Sequence, residues 1–208
     1  MKFSPHLLLV VFTAITGVAM AIATPAQAAG DQETIIKRNG SYTTSKGGSG
    51  TTSSVTTRSN GSVQRNGNWT NAPGGTGSFQ SQRTPNRATH SANFSGSVTR
   101  PDGKTSTYQG TAVRTAPGVV SSNGTITQAN GKQDTFTATD TKVAPGTWDK
   151  QETITTANGK TIDRSVQTSI SDGQGTRTVT TTLPDGQTVT RNAQFSQTVT
   201  TAPASPTH

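Results

Sequence analysis

Three lysines stand where a repeated structure would turn them into a binding edge. Lys104, Lys132 and Lys160 each directly follow a glycine, and Gly103, Gly131 and Gly159 are spaced 28 residues apart. Stacked repeats of that length would bring the three ammonium groups into one row, a surface suited to an acidic polysaccharide or another polyanion. The next glycine of the series, Gly186, is followed by Gln187, so the row ends there. Lysine after a turn also discourages unwanted pairing of sheet edges, which gives the same residues a purely structural use. A second basic group, Arg83, Arg87, Arg100 and Arg114, has no spacing that places it. Recognition of nucleic acid joins such charge to stacking aromatics. With only 5% aromatic residues, the chain is not expected to have nucleic acid as a partner.

Catalytic chemistry finds little to work with. There is no cysteine, and the three histidines are His6, His90 and His208. His90 alone lies well inside the chain, and one histidine does not make a zinc site. Paired carboxylates would suit a hydrolase of cell-wall polysaccharide. However, Asp102, Asp172 and Asp185 sit in turn tripeptides, where a short carboxylate hydrogen-bonds the local backbone. Asp134, Asp140, Asp149, Glu152 and Asp163 share no spacing. The expectation is a protein that is not an enzyme, with no catalytic, metal or cofactor site, and the hydrolase stands as the remote alternative.

Residues 1–28 read as a secretory signal. A short segment carrying Lys2 precedes an apolar run from Leu7 to Ile22, and Thr24-Pro25-Ala26-Gln27-Ala28 supplies small residues for cleavage after Ala28. The run is shorter than the roughly 20 residues of a membrane-spanning helix, so no membrane span is expected once the signal is removed. Export to the periplasm or the cell surface follows. The full chain carries a net charge of +8, and removing Lys2 leaves +7. Its hydrophobic content, 27%, is far below the roughly 45–50% of ordinary domains, so a large closed core is not expected.

The elements come from the turns. Pro101-Asp102-Gly103, Ala129-Asn130-Gly131, Ala157-Asn158-Gly159 and Pro184-Asp185-Gly186 recur at steps of 28, 28 and 27, and a second series, Ala116-Pro117-Gly118 and Ala144-Pro145-Gly146, falls between them. Breaks about every 14 residues, separated by Thr/Val/Ile/Phe-rich stretches, mark consecutive β-hairpins. A three-residue loop, a type I turn closed by a left-handed glycine, sends all odd offsets from that glycine to one face. Val98, Tyr108, Ile126, Phe136, Ile154, Ile162, Val166, Val179, Leu183, Val189 and Phe195 all lie at odd offsets, whereas Val113 and Val119 do not. The opposite face is rich in Thr-x-Thr, which the β-propensity of threonine explains.

The expected fold is all-β, an antiparallel meander of about eight strands forming an elongated sheet or open barrel over residues 91–201. Residues 29–90, with Gly47-Gly48-Ser49-Gly50, Gly74-Gly75-Thr76-Gly77 and Asn-Gly at 39–40, 60–61 and 66–67, show no fixed period. They are expected to form a looser, partly disordered arm, and residues 202–208 a disordered tail. The function that follows is a structural or adhesive exported protein, with polyanion contact through the lysine row. Alternatively, the Gln/Asn/Thr/Gly-rich repeats could self-associate as a fibre-forming subunit of a biofilm matrix.

Overall fold

The turn glycines organise the chain from the first described strand onward, not its C-terminal part alone. In a computed structural model that describes residues 32–203, Gly47, Gly74, Gly103, Gly131, Gly159 and Gly186 all have φ between +75° and +88°. Each ends a three-residue loop closed by a backbone hydrogen bond of 2.8–3.0 Å from the residue before the loop to the residue after it. Positive φ is why glycine recurs there: any side chain would be strained. The steps between these glycines are 27, 29, 28, 28 and 27, so the period expected for residues 91–201 begins in the first strand.

Twelve strands result, β1 (Gln32–Thr44), β2 (Ser49–Ser59), β3 (Ser62–Asn71), β4 (Thr76–Asn86), β5 (Ser91–Thr99), β6 (Thr105–Ala116), β7 (Val119–Thr127), β8 (Gln133–Ala144), β9 (Thr147–Thr155), β10 (Thr161–Ser171), β11 (Gln174–Thr182) and β12 (Thr188–Pro203). Every sequential pair is an antiparallel hairpin, and β1 pairs with β12 from Gln32↔Pro203 to Thr44↔Arg191, closing the sheet into a barrel. The all-β antiparallel expectation holds, but two details are corrected. Among the described residues the strands number twelve, not about eight, and the barrel is closed. The segment expected to be a loose arm supplies β1 to β4, and Ala202 and Pro203 belong to β12 rather than to a tail. The arm looked aperiodic because extra glycines crowd its turns. Asn60-Gly61 is a turn, but Gly40 and Gly67 lie inside strands. The signal segment and residues 204–208 lie outside the described residues.

Those in-strand glycines have a packing reason. Gly40, Gly50, Gly67, Gly77, Gly96, Gly110, Gly124 and Gly175 all point inward, each beside an aromatic ring of a neighbouring strand. Phe79 covers Gly67, Tyr108 covers Gly96, Phe136 covers Gly124, and Phe195 lies against both Gly40 and Gly175. A missing side chain lets the strand bend, and the ring fills the space and shields the backbone, a device that also lets barrel walls curve.

Side-chain alternation then sorts the residues. Phe94, Tyr108, Ala112, Val120, Ile126, Phe136, Ile154 and Ile162 form one buried apolar cluster on the inner wall from β5 to β10. Outward positions along the strands are overwhelmingly Thr, Ser, Asn and Gln, as in Thr135, Thr137, Thr139 and Thr141 of β8. Val113 and Val119 broke the odd-offset rule because they belong to this outer wall, where Val113 is 41% exposed.

Candidate functional site: cations at a rim and inside a barrel

Lys104, Lys132 and Lys160 occupy three consecutive loops of one rim, joining β5 to β6, β7 to β8 and β9 to β10, and all are exposed. Alternate strands in a sheet put adjacent loops about 10 Å apart. The lysine backbone amides are tied down locally: Lys104 N donates to Asp102 Oδ1 (3.2 Å), Lys132 N to Asn130 Oδ1 (3.1 Å) and Lys160 N to Thr156 Oγ1 (3.1 Å). Where the row ends, Lys46 of the neighbouring β1–β2 loop donates to Gln187 Oε1 (3.0 Å), so a fourth ammonium shares this rim. Lys104 also lies 3.7 Å from Asp102, which offsets part of its charge. The second basic group does not exist as a cluster. Arg83 is buried inside the barrel, Arg100 stays at the lysine rim beside Asp102 (3.4 Å), and Arg87 and Arg114 lie at the opposite rim. His90 is an exposed residue of the β4–β5 turn with φ +50°.

The larger accumulation of charge is inside the barrel. Between the rims, the inward face carries Arg38, Arg58, Arg65, Arg83, Lys150, Arg164, Arg177 and Arg191 against Asp134, Asp140 and Glu152. Eight cations minus three carboxylates leave a surplus of five, which is most of the +8 of the full chain. Burying like charges is costly because little water remains to screen them, and arginine cannot relieve the cost by losing its proton.

Part of this interior is satisfied. Glu152, almost wholly buried, lies 3.1 Å from Lys150 Nζ and 3.2 Å from Arg164 Nη1. Burial alone would push its carboxyl up, but Lys150 and Arg164 together hold it below the usual range. Asp140, cross-strand partner of Lys150, is the reverse case. Burial raises it to about 6, with Glu152 adding to the rise and Lys150 and Arg177 opposing it. Two carboxyl groups pushed apart in this way are the pattern of an acid–base pair. Yet both oxygens of Glu152 face cations of the barrel itself, which fits a structural ion triad.

The other part rests on aromatic rings and neutral polar groups. Arg191 lies over the Tyr42 ring (3.7 Å), Arg65 over Phe79 (5.0 Å) and Arg38 over Phe195 (5.3 Å). Arg38 Nε donates to Gln197 Oε1 (2.9 Å), and Arg65 Nη2 donates to Ser54 Oγ (3.3 Å). Arg38 and Arg191 are lowered to about 10, in both cases chiefly by burial. Arg177 too is pushed well below its ordinary value, by burial first and then by repulsion from Arg164, Arg65, Arg191 and Arg38.

None of these interior cations was singled out from spacing, although the signal was present. Counted from their own turn glycines, Arg38, Arg65, Lys150 and Arg177 all stand at −9, and Arg164 and Arg191 at +5. These are the same odd offsets that brought the apolar residues inside. No family model matches the chain, and no curated protein is significantly similar to it.

Proposed function

We propose that this is an exported, non-enzymatic structural or adhesive protein of the periplasm or cell surface, and that it holds polyanions such as acidic polysaccharide at its lysine rim. The observation that carries this reading is the position of Lys104, Lys132 and Lys160 on consecutive loops of one rim, with Lys46 nearby. A polyanion following that rim meets several ammonium groups at once. The outer wall supports the same reading. A shallow depression of about 770 Å³ over β4 to β8 is lined by Gln82, Asn93, Gln109, Asn123, Thr125 and Thr137, whose amides and hydroxyls suit the hydroxyls of a glycan. With Thr, Ser, Asn and Gln facing outward, the wall offers no apolar band of the kind a lipid-facing barrel carries, in keeping with a protein in water.

The test is retention on heparin or alginate resin. Replacing Lys104, Lys132 and Lys160 together by Gln should make the protein elute at distinctly lower salt, and unchanged elution removes the rim from the function. The fibre-forming alternative is weaker, since closure between β1 and β12 pairs the strand edges from which a fibre would grow. Seeded, thioflavin-positive fibrils from the folded protein would reinstate it.

A further inference from the structure

Arg38, Arg65 and Arg177 face the barrel interior, and among the described residues no carboxylate is paired with any of them. We propose that the barrel interior binds a compact multivalent oxyanion of the phosphate or sulfate class, held between Arg38, Arg65 and Arg177. This site is separate from the lysine rim and does not depend on it.

The three arginines come from β1, β3 and β11, and each occupies the same position of its own hairpin repeat, nine residues before the turn glycine. Equal offsets put them at one level of the barrel. They are close enough that Arg177 is repelled by both Arg38 and Arg65. Guanidinium nitrogens there are left without partners: Nε and Nη2 of Arg177 and Nε of Arg65 are shut off from bulk solvent and have no hydrogen-bond partner among the described residues. Arg177 acts on Asp140 without pairing to it, while Glu152 is engaged with Lys150 and Arg164. Ser54 and Ser81 point inward at the same level and offer hydroxyl donors.

Tetrahedral oxyanions match this set. A guanidinium presents parallel N–H donors that fit two oxygens of one phosphate or sulfate, and three of them on different strands of one interior suit a dianion or higher. Arg38, Arg65 and Arg177 are only partly buried, in contrast to the fully buried Ile154 and Ile162 of the opposite wall. That difference leaves the arginine side of the interior reachable by a hydrated ion, while the apolar side lowers the local dielectric and strengthens the attraction.

The same chemistry serves a free phosphate or a phosphate or sulfate ester at the end of a glycan, and titration calorimetry on the full chain at low salt separates them. Inorganic pyrophosphate and orthophosphate probe the free ion, and a short sulfated heparin fragment probes the ester. Binding of pyrophosphate, with a rise in Tm, is the expected result, and binding of the fragment alone would move the ligand to a glycan terminus. Arg177→Gln should weaken the ligand by about tenfold or more, and Arg177→Lys, which keeps the charge but loses the fork, should weaken it by less. The Lys104/Lys132/Lys160→Gln triple variant should bind as the parent does. If neither probe binds up to ~10 mM, the proposal fails. It fails equally if folded Arg177→Gln and Arg177→Lys proteins both keep the parent affinity, or if the lysine variant loses it.

Discussion

The two halves of this barrel use one backbone to different ends. From β5 to β10 the inner wall is built on Phe94, Tyr108, Val120, Ile126, Phe136, Ile154 and Ile162, a cluster closed to solvent that Asp134, Asp140, Lys150, Glu152 and Arg164 join on β8 to β10. From β11 through β12 to β4 the inward face carries Arg177, Arg191, Arg38, Arg58, Arg65 and Arg83, with no carboxylate among the inward charges named above. The hairpin repeat, loop type and outward threonines are common to both. What differs is a handful of inward side chains, so one half supplies hydrophobic stabilisation and the other spends some of it to hold charge. The low hydrophobic content is thereby explained: it furnishes half the lining of a wide barrel rather than a full core.

The boundary between the halves is where that comparison breaks most readily. Glu152 joins Lys150 and Arg164 at the edge of the apolar wall, and Glu152→Gln leaves two buried cations without their carboxylate. A loss of about 3–5 kcal/mol in urea-unfolding stability is expected at pH 7. Because the folded carboxyl titrates lower than the unfolded one, this contribution is present above the unfolded value and disappears as pH falls through the folded one. Parent and variant should therefore converge in acid.

Next in size is Gly124→Ala, within the apolar half. A methyl group would meet the Phe136 ring at 2.8 Å and collide with the Gln109 carbonyl, which should cost about 1–3 kcal/mol. The same change at Gly131, whose built methyl touches nothing, acts only through its φ of +79° and should cost about 1 kcal/mol. Equal losses at the two sites would mean that the ring over Gly124 is not what demands glycine there.

At Asp140 the expected effect has the opposite sign. Asp140 is raised from 3.8 to about 6 by burial, so its stabilising contribution is complete below about pH 4 and is lost as pH rises through about 6. Asp140→Asn should gain up to ~3 kcal/mol at pH 8 and nothing at pH 3.5. A loss at pH 8 would show that its attraction to Lys150 and Arg177 outweighs its desolvation.

Much of this was legible in the residues. Odd offsets from Gly103, Gly131, Gly159 and Gly186 assign Val98, Tyr108, Ile126, Phe136, Ile154 and Val179 to the inside, and all six are buried. The first four strands were hidden because Gly47, Gly48, Gly50, Gly74, Gly75 and Gly77 look like linker, although two of them are turn glycines and two others lie under Tyr42 and Trp69. The interior arginines were hidden for a different reason. A charged residue in a strand is ordinarily taken to face solvent, so the offsets that placed isoleucine inward were not applied to Arg38, Arg65 or Arg177.

The chain alone determines strand, turn and facing, because these depend on contacts a few residues apart: a glycine that tolerates positive φ, and the strict alternation of side chains. It does not determine that β1 meets β12, a pairing across almost the whole described chain. Only that closure makes one face an interior, and with it turns a scatter of arginines on separate hairpins into a single enclosed field of positive charge.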